Sequence, residues 1–103
     1  MAGSLRQGMT GTLALSGEVN IHTGGALRDQ ARRLLASCPE TLVRIDCSAL
    51  GRSDSVCLSL LLCMQRDARA LGKRLLICAL PEELRRIAGL YGLLDLLPLD
   101  AGA

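Results

Sequence analysis

Apolar and polar positions alternate at Thr12-Leu13-Ala14-Leu15-Ser16, between Gly11 and Gly17. That period of two predicts a half-buried strand. A fainter alternation over 5–9 predicts a first strand paired with it in a hairpin. The stretch 18–25 reads as a polar, glycine-containing connection. Leu27, Ala31, Leu34 and Leu35 then recur at helical spacing, while Arg28, Asp29, Arg32 and Arg33 fall elsewhere around the axis. Thr23 is the expected N-cap of this helix, and Pro39 closes the segment. Residues 42–47, with β-branched Val43 and Ile45, predict a central strand.

The second predicted helix, 55–71, is the most apolar. Its first half carries apolar side chains nearly all round, and Gln65, Arg66, Asp67 and Arg69 restore a polar side further on. Gly72 suits the position after its end. Residues 75–80 form a continuous apolar run, expected as a strand covered on both faces. Pro81-Glu82-Glu83 opens a third helix, with Leu84, Ile87, Ala88 and Tyr91 as its inner face and Gly92 as its stop. Residues 96–99, interrupted by Pro98, predict a last edge strand. This order predicts one α/β domain over 1–103, a mixed β-sheet with three main helices packed on it.

Composition narrows the function classes. The 103 residues are 50% hydrophobic, and Tyr91 is the single aromatic residue. Base-stacking nucleic-acid modules need aromatic platforms, so they are disfavoured. A net charge of +2 marks no nucleic-acid face either. Arg28, Arg32, Arg33, Arg66, Arg69, Lys73, Arg74, Arg85 and Arg86 are interleaved with acids and read as solvated helix faces. Five cysteines, at 38, 47, 57, 63 and 78, show no Cys-x-x-Cys spacing and lie far along the chain from the lone His22. A zinc or thioredoxin-type site is disfavoured, and reduced thiols in a cytoplasmic protein are expected. Residues 1–10 lack the apolar core of a signal peptide, and the run 56–64 is far shorter than a bilayer span. No direct insertion into a membrane is expected.

Chemistry concentrates at Ser53-Asp54-Ser55, the polar opening of the most apolar helix. A catalytic reading would use Ser53 or Ser55 as nucleophile, Asp54 and His22. The Gly-x-Ser-x-Gly turn that exposes such a nucleophile is absent, as are phosphate-cradling glycines and clustered metal ligands. The expectation is a non-enzyme with no catalytic residues, no metal and no cofactor. Three readings of Ser55 remain: a helix cap, a phosphate acceptor placed where free N–H groups stabilise negative charge, or a docking contact. The docking surface would comprise Arg52, Ser53, Asp54, Ser55, Val56 and Ser59, small polar side chains around an apolar one.

Three segments carry a resemblance. Leu13-Ala14-Leu15-Ser16-Gly17-Glu18, then Ile45-Asp46-Cys47-Ser48, then Asp54-Ser55 before Leu58 resemble a STAS domain, the fold of sulfate-transporter tails and anti-sigma-factor antagonists. Leu60-Leu61-Leu62, Ala88-Gly89-Leu90-Tyr91 and Leu96-Leu97-Pro98 look like the MlaB-type branch, over about 11–98. That likeness implies a cytoplasmic subunit bound, at the inner membrane, to an MlaF-like ATPase and indirectly to the permease of an ABC transporter. The transporter would move phospholipid and maintain outer-membrane lipid asymmetry. Ser55 falls where such subunits carry a docking hydroxyl, and where anti-sigma-factor antagonists carry a phosphorylated serine. The alternative partner is therefore a serine-kinase anti-sigma factor. One position departs from the pattern: Cys57 stands where the family usually has glycine.

Overall fold

In the computed structural model, residues 2–100 are described; Met1 and residues 101–103, the ends of the expected domain, lie outside the described residues. The elements run β1 (Ser4–Gln7), β2 (Thr12–Gly17), α1 (Gly24–Ser37), β3 (Leu42–Leu50), α2 (Ser55–Ala70), β4 (Arg74–Cys78) and α3 (Glu82–Leu90). The sheet is mixed, in the order β1-β2-β3-β4. β1 and β2 form the expected antiparallel hairpin, while β2–β3 and β3–β4 are parallel pairs crossed over by α1 and α2.

One face of this sheet is the core. Leu5 opposes Leu15, Leu13 opposes Ile45, and Ile45 opposes Ile77, all fully or almost fully buried. The inner stripes of the helices, among them Ala31, Leu35, Leu58, Leu61, Met64 and Leu84, close over that face in one continuous cluster. Arg6, Ala14, Asp46 and Cys78 form the row on the other side.

Several expectations change. Val19, in the stretch read as polar connection, is completely buried. β3 runs three residues beyond Cys47 and carries a bulge, with two register steps of β2 spanned by three on β3. The Asp46 carboxylate accepts the Ser48 N–H at 2.9 Å beside this irregularity. β4 alternates rather than being covered on both faces, because no helix covers the sheet's second side; Leu76 is half-buried. The last strand shrinks to one bridge between Ile77 and Leu99. Turn bonds from Leu96 and Leu97 back to Leu93 hold that segment out of the ladder, and Pro98 has no N–H to offer it.

Tyr91 is not on the inner face of α3: it is 68% exposed. The helix ends at Leu90, and Gly92 turns the chain back with φ +67. The Leu93 N–H then bonds the Ala88 carbonyl, and Leu93 packs on the core instead. Thr23 occupies the N-cap position of α1 as expected, its carbonyl accepting the Leu27 N–H at 3.1 Å, but its side chain makes no capping bond. Its hydroxyl accepts the Asn20 N–H at 3.0 Å and donates to the Glu18 carbonyl at 3.2 Å, which folds the connection upon itself.

Candidate functional site

The loop between β3 and α2 is knitted to the one between β2 and α1. Gly51 N–H bonds the Gly17 carbonyl at 2.8 Å, and Asp54 N–H reaches the Val19 carbonyl at 3.4 Å. The half-buried Ser53 hydroxyl accepts the Val19 N–H at 3.1 Å and donates to the Gly51 carbonyl at 3.3 Å. Burial of Val19 anchors the pair of loops from below. The polar turn before α2 is therefore held in place by backbone bonds and one serine, not left to solvent.

Asp54, rather than Ser55, caps α2. Its backbone is extended, and its carboxylate accepts the Val56 N–H at 2.9 Å. Ser55 is consequently the first helical residue, and it is exposed. No described hydrogen bond engages its hydroxyl. Val56 is half-buried against the core, and Ser59, one turn further on, is exposed. Arg52 and Asp54 are also exposed, and the six expected contact residues run along the turn before α2 and its first turns.

That stretch borders two concavities. Arg52, Ser53 and Asp54 line a hollow of about 260 Å³ with Glu18 and Asn20. Val56 and Ser59 line a second groove with Ile21, Gly24, Gly25 and Arg28 from the other loop and α1. Local sequence pattern does not reveal that second contribution, which comes from a segment 28 or more residues earlier. An exposed Ile21 in a polar stretch was its one local trace. A larger concavity, about 640 Å³, lies beside Arg66 and Arg69 in the second half of α2, away from Ser55.

Among the described residues, no hydrogen bond joins Ser55 to His22. His22 is exposed, and its described contact is a backbone one, N–H to Asn20 Oδ1 at 2.9 Å. Among the described residues no group of three or more His, Cys, Asp or Glu is placed to hold a metal. Among the described residues no helix is long and apolar enough to cross a membrane.

Cys57 turns inward. Its side chain has no exposed surface. Burial pushes its thiol up to about 12, with the Asp54 carboxylate adding to the shift. Burial likewise raises the Cys47 thiol well above its ordinary value, assisted by Cys57, Asp46 and Cys78. All five cysteines are free thiols. The Cys57 side chain thus fills the core and adds no bulk to the surface around Ser55.

The model of the MlaB-type STAS domain matches residues 4–98, nearly the whole chain. The chain belongs to this family. Among curated proteins none matches it. Solved structures share its fold. An anti-sigma factor antagonist from Mycobacterium paratuberculosis is 23% identical with a TM-score of 0.70, over 97% of this chain and 85% of that one. The Bacillus cell fate determinant SpoIIAA, in its phosphorylated form, is 19% identical with a TM-score of 0.67, over 96% and 89%. A structure of the diguanylate cyclase SiaD with its activator SiaC, from Pseudomonas aeruginosa, matches at 14% identity and a TM-score of 0.58, over 95% and 88%.

Proposed function

We propose that this STAS domain is a non-catalytic, cytoplasmic regulatory subunit that docks on the ATPase of a phospholipid-moving ABC transporter. The contact surface is Arg52, Ser53, Asp54, Ser55, Val56 and Ser59. The observation that carries this reading is the exposed Ser55 at the first position of α2, in a chain that matches the MlaB-type family model. Ser53 and Asp54 spend their side chains on the fold, fixing the loop, while Ser55 and Ser59 face outward for a partner. Binding one conformation of the ATPase better than another is sufficient for regulation. Association with the inner membrane follows from the transporter and requires no span in this chain.

A second reading is an anti-sigma-factor antagonist switched by phosphorylation of Ser55. The similarity to phosphorylated SpoIIAA favours it, as does the exposure of that hydroxyl. Asp54, whose negative charge adjoins the phosphate position, would repel the phosphate and make such a switch tunable.

Affinity capture of the tagged chain at native expression, with partners and Ser55 phosphorylation read by mass spectrometry, separates the two. A transporter ATPase with its permease, and unmodified Ser55, is the expected result. A serine kinase with a phosphorylated Ser55 fraction overturns it. Ser55→Arg is expected to abolish ATPase capture while the domain stays folded.

A further inference from the structure

The first turns of α1 and α2 lie side by side: a Cβ built on Gly24 would stand 3.0 Å from Val56 Cγ1. The groove between them holds about 240 Å³. Val56 and Leu60 give it an apolar floor, and Ile21, 78% exposed, stands on its edge. Gly25 leaves the other wall open; a Cβ there would meet nothing within 4 Å.

Arg28 is the one charged side chain lining this groove. Its Nε is buried and has no hydrogen-bond partner among the described residues. A buried guanidinium N–H without an acceptor is costly, and the planar fork of the group is matched by a carboxylate. An apolar groove with a single cationic side chain in its lining specifies its occupant by charge as well as by shape.

We propose that the groove receives a segment of the ATPase that lays an apolar side chain on Val56, Leu60 and Ile21 and presents an Asp or Glu carboxylate to Arg28. This rests on the docking reading and names the chemistry that the partner brings. Arg28 selects for an acidic partner surface, and Ser55 adjoins the groove as the residue before Val56.

The test uses the full chain and the ATPase recovered in the capture experiment, titrated at several salt concentrations. Arg28→Met weakens binding at least tenfold and flattens its salt dependence, and Arg28→Lys restores part of the loss. Gly25→Leu, which fills the groove, also weakens binding at least tenfold. Both variants melt no lower than the parent, since one removes an unsatisfied donor and the other replaces a helical glycine. If Arg28→Met and Gly25→Leu bind as the parent does while Ser55→Arg does not bind, the groove proposal is overturned and docking through Ser55 stands. If the parent chain captures no transporter ATPase, the docking reading fails and takes this proposal with it.

Discussion

The Ser53 hydroxyl accepts the backbone N–H of Val19, thirty-four residues earlier, at 3.1 Å. With the backbone bonds Gly51 N–H to Gly17 and Asp54 N–H to Val19, it ties the loop before α2 to the loop before α1 and so fixes both sides of the candidate docking surface. Ser53→Ala leaves the Val19 N–H without its acceptor, and a loss of about 1–3 kcal/mol is expected. Ser53→Thr, which keeps the hydroxyl, recovers most of it. Urea denaturation followed by circular dichroism measures both; an unchanged midpoint for Ser53→Ala would show that the bond contributes nothing to stability.

Asp54 gives a second prediction, because it caps α2 through the Val56 N–H. Asp54→Ala costs about 0.5–2 kcal/mol, and Asp54→Asn much less, because the amide oxygen still accepts. Ser55→Ala changes stability by less than about 0.5 kcal/mol, as expected for an exposed side chain outside the cap. A Ser55→Ala variant as destabilised as Asp54→Ala would reassign the cap.

Gly17 closes β2 with φ +77, and a Cβ there would collide with the Ala2 carbonyl oxygen. Both the left-handed backbone and the close approach require glycine. Gly17→Ala is expected to lower the melting temperature by several degrees, about 1 kcal/mol or more. This gives the Ser-Gly-Glu segment a physical reason: the turn lets the chain before β1 lie against the end of β2. A melting temperature equal to the parent's would contradict that reason.

The thiols predict a pH dependence. In the folded chain Cys57 stays protonated up to about 12, against an ordinary value of 9.0. Between those values the unfolded chain releases the proton and the folded one does not, so stability is complete below about 9 and falls as pH rises. Cys57→Ala should flatten that alkaline decline, measured as denaturation midpoints at pH 8 and pH 10; equal slopes would rule it out.

Alkylation offers an independent check on the same thiols. Native protein treated with iodoacetamide should modify the half-buried Cys63 and Cys78 well before Cys47 and Cys57, which have no exposed surface. Rapid labelling of Cys57 in folded protein would mean that it faces solvent.

Much of the fold is legible from periodicity alone. Leu13 and Leu15 on β2, Val43 and Ile45 on β3, and the stripe Leu27, Ala31, Leu35 on α1 all point inward as their spacing requires. Local patterns failed where the partner of a residue is remote. Val19 sits in a run of polar residues and is buried because Ser53 and Asp54 bond its backbone from another loop. Tyr91 keeps helical phase with Leu84 and Ala88, yet the helix stops one residue before it. Residues 75–80 are apolar enough for a strand covered twice, but all three helices occupy the other side of the sheet.

Periods of two and 3.6 and short motifs carry the order from β1 to α3, most core faces of the strands and helices, and the family. The sequence by itself also placed Ser53, Asp54 and Ser55 at the opening of α2. How those three divide their work depends on packing between distant segments: Asp54 caps, Ser53 staples two loops, and Ser55 is left exposed. The same holds for the α1 side of the groove. Ile21, Gly25 and Arg28 join Val56 and Ser59 through packing of helices that are adjacent in space and distant along the chain, a relationship that no local pattern encodes.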